Sequence, residues 1–321
     1  MSRRAESPDE LVARAREGEA RAIGRLISQV EDGSPVLRDV MAALAPYADG
    51  ARGGPHIVGL TGSPGVGKST STSALVTELR RRDLRVGVLA VDPSSPFSGG
   101  ALLGDRIRMS EHATDPGVFI RSMAARGHLG GVSRATPQAL RVLGAAGYDV
   151  ILVETVGVGQ SEVEIARLAD TTIVLLAPGM GDGIQAFKAG ILEIGDVFAI
   201  NKSDREGADK VRRDLRSMIS LADRPEGAWR PPVIKTVATE GQGAAEVVDS
   251  IDEHRAWARE SGELERRRVR RTRDEIEAIA LTALRERWGS VDAGNRLDGL
   301  AHAVIAGESD PYAAADALLE D

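Results

Sequence analysis

Residues 62–69 read GSPGVGKS, and their reading decides the fold. The pattern G-x-x-x-x-G-K-[ST] is met without a mismatch. It follows the apolar run IVGLT (57–61) and opens the helical stretch KSTSTSALVTELRRR (68–82). Strand, glycine-rich loop and helix in that order are the context a phosphate-binding loop requires. The glycines let successive backbone N–H groups turn inward with no Cβ in the way, forming an anion nest at a helix N-terminus. In such a nest Lys68 reaches the β- and γ-phosphates and the Ser69 hydroxyl ligates Mg²⁺. The bland alternative is a strand–helix turn that binds nothing, and pattern and context together weigh against it.

Outward from the loop the chain alternates. Apolar runs at 57–61, 86–92, 118–123, 150–155, 172–178, 197–202 and 232–238 are separated by helical stretches such as 68–82, 137–147 and 161–169. Several runs are apolar throughout, as strands covered on both faces are. The expected fold is therefore α/β, a doubly wound, mostly parallel sheet with its ligands at the carboxyl ends of the strands. Residues 8–48 are expected to be helical, with Leu11, Ala15, Ala22, Leu26 and Val30 on one face. DGARGGPH (49–56) breaks that pattern, and from about 244 the text turns all-helical. The expected organisation is an N-terminal helical segment (1–54), a nucleotide domain (55–243) and a C-terminal helical region (244–321). The basic run RRRVRRTR (266–273) is flanked by acids and reads as a solvated helix face.

Composition narrows the function. A chain of 321 residues, 42% hydrophobic, can bury a full core. Its formal net charge of −7 argues against a general nucleic-acid binder. The absence of cysteine removes thiolate metal sites and fits the cytoplasm. No run approaches 18 uninterrupted apolar residues, so no membrane span is expected, and the arginine-bearing N-terminus lacks the apolar run of a secretory signal. The five histidines are scattered and read as structural or surface residues.

Mg²⁺ takes oxygen ligands, commonly one or two carboxylates with phosphate and water. Three acids fall where strand ends would bring them near the loop: Asp92 after VGVLAV, Asp105 in PSSPFSGGALLGDRIRM, and Glu154 closing VILVE. Glu154 leads into TVGVGQ, where Gly157 is placed to offer its backbone N–H to a γ-phosphate. The structural alternative is that these carboxylates are caps or surface charges.

NKSD (201–204) follows the apolar strand VFAI about 130 residues after the loop. The Asp204 carboxylate has acceptors only, matching the ring N1–H and exocyclic amino group of guanine. Adenine lacks that donor pair and would leave the acceptors unpaired. The stem of Lys202 can lie along the base, and Asn201 can tie neighbouring loops together. GTP is the expected nucleotide.

Several blocks together, AVDPSSPFSGGALLGDRIRM (90–109), GHLGGVSRAT (127–136), VETVGVGQSE (153–162), GDGIQAFKAGILEI (181–194) and NKSD, resemble the MeaB/ArgK family. These are SIMIBI-class P-loop GTPases that act as chaperones of adenosylcobalamin-dependent acyl-CoA mutases. The resemblance implies that Gly62, Ser63, Pro64, Gly65, Val66, Gly67, Lys68, Ser69 and Thr70 bind phosphate. It implies that Asp92, Asp105 and Glu154 are metal and switch acids, with Lys68, Asp105, Glu154 and Gly157 serving hydrolysis. Asn201, Lys202 and Asp204 would read guanine. Val237, Ala238 and Thr239 would form the last nucleotide loop, with the Ala238 N–H on the guanine oxygen; Val237 stands where the family usually has Ser.

The resemblance further implies that Asp182, Gln185 and Lys188 relay the nucleotide state to the mutase, although spacing alone reads them as a helix start capped by Asp182. GTP and GDP with Mg²⁺ are the implied ligands, and adenosylcobalamin enters only through the partner. The implied partners are a cobalamin-dependent acyl-CoA mutase with its adenosyltransferase, and a second copy of this chain held through the C-terminal helices. Departures at Phe97, Ala101, Arg106, Ile107 and across 122–131 lead us to expect a mutase other than the usual methylmalonyl enzyme, or a side branch of the family. With no Gln, His or Arg assignable to water activation, hydrolysis is expected to be slow alone and stimulated by the partner. The rival readings are a P-loop kinase or transport-accessory ATPase, a nickel-insertion GTPase, which the lack of cysteine disfavours, and a scaffold that does not turn over.

Overall fold

Parity along each strand sets the layers, because neighbouring side chains of a strand leave on opposite faces. The computed structural model describes residues 6–47, 53–92, 109–124, 135–155, 161–179, 190–288 and 291–319. Seven strands, β1 His56–Thr61, β2 Val86–Asp92, β3 Val118–Ala124, β4 Val150–Glu154, β5 Thr171–Leu176, β6 Val197–Ile200 and β7 Val233–Lys235, form one sheet in the order β3-β2-β4-β1-β5-β6-β7. Every pairing in it is parallel. The chain starts at the central β1, builds outward on one side, returns through β4 and then builds on the other. The switch in direction therefore falls beside β1, where doubly wound sheets place their ligands.

Three N-terminal helices, α1 Pro8–Arg16, α2 Ala20–Glu31 and α3 Leu37–Leu44, precede the sheet. Ser7 caps α1 reciprocally with Glu10, and Gly18 and Gly33, both in the left-handed region, divide the helices. Leu11, Ala15, Ala22, Leu26 and Val30 are all buried, on the face expected from their spacing. They join α5 (Thr136–Ala145) and α6 (Ser161–Leu168) over Ile57, Leu89, Phe119, Ile151 and Val153. The opposite parity, Val58, Leu60, Val88, Leu152, Ile173 and Leu175, faces α4 (Lys68–Arg81) and α9 (Ala244–Glu260). The short α7 (Ile191–Ile194) precedes β6, and α8 (Ala208–Leu221) covers Val174, Phe198 and Ile200 through Ala208 and Leu215.

The chain divides into two compact units, 1–268 and 269–321. Helix α10 (Glu263–Trp288) begins in the first and continues into the second, where α11 (Val291–Ile305) and α12 (Pro311–Leu319) contact each other. No helix among the described residues is long and apolar enough to cross a membrane.

The start of α10 corrects one expectation. Arg267 and Arg268, read as part of a solvated face, turn inward to the amino end of the sheet. Arg267 makes a two-pronged contact with Asp196 at 2.7 and 2.9 Å, and Arg268 lies 3.1 Å from Asp170. The reason is that Asp170 and Asp196 are buried at loops entering β5 and β6 and require compensating charge. Around them Thr171 Oγ1 sits 2.8 Å from His56 Nε2 and 2.7 Å from His254 Nδ1, while His254 Nε2 is 3.2 Å from Asp196 Oδ1. Burial holds His56 neutral, pushing it down to about 3. Burial alone would raise Asp196, but hydrogen bonds from His254 and Arg267 outweigh it and bring the carboxyl down to about 2.

Candidate active site

The loop from β1 to α4 turns through two glycines that admit no side chain. Gly62 has φ +146°, and a Cβ there would stand 2.3 Å from the Leu175 carbonyl oxygen. Gly67, the N-cap of α4, has φ +98°, and its Cβ would meet Asn201 Nδ2 at 2.4 Å. Only glycine takes both the left-handed turn and the close approach. The turn delivers Lys68 and Ser69 as the first residues of α4, where a helix has no intrahelical acceptors for its first N–H groups and its dipole favours an anion.

Lys68 is 8% exposed, and its ammonium donates to the Gly62 carbonyl at 2.8 Å and the Ser63 carbonyl at 3.2 Å. The charge is thus held across the mouth of the loop. Ser69 Oγ donates to Glu154 Oε1 at 2.7 Å. Glu154 ends β4, the neighbour of β1, and its other oxygen lies 3.0 Å from Thr72 Oγ1. A serine oxygen and a carboxylate oxygen in contact are the donor types a hard cation takes. Among the described residues no group of three or more His, Asp and Glu side chains forms a metal cage, so a cation here would complete its shell with phosphate and water.

Two strands away, Asn201 directly follows β6 and is 3% exposed. Its amide donates to the Val66 carbonyl at 2.8 Å and accepts the Ala238 N–H at 3.0 Å, and Thr236 Oγ1 lies 3.4 Å from Oδ1. One side chain therefore joins the phosphate loop to the loop after β7. Lys202, in the left-handed region at φ +57°, donates to the Gly65 carbonyl at 2.6 Å. Asp204 and Thr239 are exposed, Val237 is buried and pairs across a tight turn with Gln242, and Thr70, Pro64 and Gly65 are exposed. The Ala238 N–H, expected to face a guanine oxygen, is the one donated to Asn201.

Asp92 is described only as the last residue of β2, paired with Ala124. Asp105, Gly157, Asp182, Gln185 and Lys188 lie outside the described residues. Thr72 is the site residue that sequence reasoning misses. It is one of five consecutive hydroxyl residues, Ser69 to Ser73, and only the turn of α4 singles it out, three residues on from Ser69.

Residues 23–292 match the family described as methylmalonyl-CoA mutase-associated GTPase MeaB. A putative GTPase of Pyrococcus abyssi is 47% identical over 318 residues, covering 98% of this chain and 96% of its own. The mitochondrial methylmalonic aciduria type A homolog of Mus musculus is 43% identical over 214 residues, 66% of this chain and 52% of its own. The crystal structure of a LAO/AO transport system kinase superposes with a TM-score of 0.71 at 29% identity, covering 98% of this chain and 96% of that one.

Proposed function

Because the chain belongs to the family of methylmalonyl-CoA mutase-associated GTPases, we propose that it is a GTP-hydrolysing chaperone of a cobalamin-dependent acyl-CoA mutase. In this role its nucleotide state gates the loading, protection or reactivation of the partner's adenosylcobalamin. The observation that carries the reading is Asn201, whose amide ties the phosphate loop at Val66 to the base loop at Ala238. Phosphate and base are then sensed by one rigid unit, and a change at the γ-phosphate reaches both.

In this mechanism the loop Gly62 to Thr70 binds the phosphates through its backbone N–H groups, Pro64 having none, and through the Lys68 ammonium. Asp204 accepts from guanine, Lys202 covers it, and the Ala238 N–H is shared between Asn201 Oδ1 and the guanine oxygen, flanked by Val237 and Thr239. Ser69 and Glu154 fit Mg²⁺, with Asp92 and Asp105 as the further acids of the site. Held there, the cation would supply positive charge that offsets the negative charge of the phosphates during hydrolysis. Gly157 contacts the γ-phosphate, and Asp182, Gln185 and Lys188 carry its loss to the mutase. None of the described site residues offers an evident base for water, so hydrolysis is slow until the partner completes the site.

The organisation we propose is a helical segment 1–54, a nucleotide domain 55–243 and a helical region 244–321 through which two copies associate. Within residues 269–321, Val269, Ile276 and Ile279 of α10 are exposed and fall at helical spacing, an apolar stripe of the kind that pairs with a second helix. We place the protein in the cytoplasm, and the mutase's adenosyltransferase as a further partner.

The test is GTP and ATP turnover by the purified protein, alone and with methylmalonyl-CoA mutase and related acyl-CoA mutases. A severalfold rise in GTP turnover with one of them, absent in Lys68→Ala, supports the reading. Preference for ATP, or turnover indifferent to every mutase, would return the kinase or scaffold reading.

A further inference from the structure

Glu154 holds a carboxylate at 5% exposure, and a buried charge is tolerated only where its oxygens find donors. Two hydroxyls of α4 face it. Ser69 and Thr72 are three residues apart, so they leave the helix on the same side, and each lies against a different oxygen of the carboxylate. Thr72 is fully buried, and its Oγ1 is 3.0 Å from Glu154 Oε2 and 3.0 Å from the Lys68 carbonyl oxygen. A single proton serves both. The bond back into the helix is the weak alternative open to any helical threonine, whereas a bond to an ionised acceptor is about twice as strong as a neutral one.

We propose that Thr72 is a positioning residue of the Mg²⁺ site. By occupying Oε2 it stops the carboxylate from rotating about its last torsion, which is otherwise broad. Oε1 then stays on the Ser69 proton. With that proton committed, the lone pairs of Ser69 Oγ are the ones presented to the cation. Thr72 touches neither nucleotide nor metal; it acts through Glu154. The stiffness of a β-branched side chain and full burial suit it to the task. The inference rests on the reading of Ser69 and Glu154 as metal ligands.

The experiment titrates Mg²⁺ into the full-length protein loaded with a fluorescent GDP analogue and follows the slowing of nucleotide release. Affinity for the same analogue is measured separately in EDTA. Thr72→Val, of nearly the same shape, is expected to raise the Mg²⁺ concentration at half effect about tenfold, the worth of one bond to a charged group. The affinity in EDTA should stay as in the wild type, and Thr72→Ser should restore the metal response. Thr72→Ala serves the same comparison if the valine variant does not fold. A variant that titrates like a Mg²⁺-dependent wild type overturns the role of Thr72 alone. A loss in EDTA as large as the loss in Mg²⁺ also overturns it, by showing a general packing defect. A wild type indifferent to Mg²⁺ overturns the metal reading of Ser69 and Glu154, and Thr72 with it.

Discussion

At the carboxyl end of the sheet, Ser69 meets Glu154 at 2.7 Å beside a loop whose N–H groups have no partner within the helix they open. At the amino end, Thr171 joins His56 to His254, and Asp196 is gripped by Arg267. Both ends bury titratable and hydroxyl groups at similar depth. The difference lies in where their hydrogen-bonding capacity points. At the amino end acid faces arginine and hydroxyl faces imidazole within one buried cluster, so that end is a fastening. The carboxyl end presents a helix start and an ammonium held over backbone carbonyls, which a bound anion can compete for. Burial of polar groups alone does not mark a site; the direction of the donors does.

Breaking the fastening should cost the most stability. Arg267→Ala leaves Asp196 buried without its guanidinium and should lower unfolding free energy by about 3–5 kcal/mol in urea titration, with GDP affinity unchanged. If the two ends were one functional unit, nucleotide affinity would fall in step. The mirror variant is Lys68→Ala, for which GTP turnover should drop about 10²–10³-fold while the urea midpoint barely moves.

Acid sharpens the contrast. Held near 3, His56 stays neutral in the fold, while an unfolded histidine takes up a proton below about pH 6.5. The unfolded state therefore binds more protons between those values, and stability falls as pH drops through 6.5, by up to about 1.4 kcal/mol per pH unit. Asp196, held near 2, adds a loss in the same direction once pH falls below the unfolded carboxyl's range near 3.8. His56→Gln should flatten the slope between pH 6.5 and 4, and an unchanged slope would place the proton elsewhere. The smallest effect on stability is expected at the exposed stripe of α10. Ile276→Glu should leave the urea curve within about 0.5 kcal/mol of wild type, and on the proposed pairing through α10 it should shift sedimentation from dimer to monomer.

The same contrast explains what could be read from the sequence. The phosphate loop is contiguous, so its glycines, Lys68 and Ser69 stand together in eight letters and carry their strand–helix context with them. The strands are legible because a parallel sheet covered on both faces demands unbroken apolar runs. Asn201 is legible as a tie between loops because it follows one of those runs. The fastening is assembled from residues 56, 170, 171, 196, 254, 267 and 268, drawn from β1, α9, α10 and the entries to β5 and β6. Its arginines were thus indistinguishable from a solvated basic face. Thr72 is hidden for the opposite reason, among hydroxyls that look alike until the helix turns it, beside Ser69, to Glu154.

The central claim, that the carboxyl end reads guanine through Asp204, is tested most directly by equilibrium titration of GDP, ADP and XDP into the wild type and Asp204→Asn. A carboxylate accepting two hydrogen bonds should favour GDP over ADP by about a hundredfold or more. The asparagine variant, with one acceptor and one donor edge, should lose GDP and gain XDP, whose 2-oxygen accepts where guanine donates. Equal affinity for GDP and ADP, or a variant that holds GDP as the wild type does, would contradict the account.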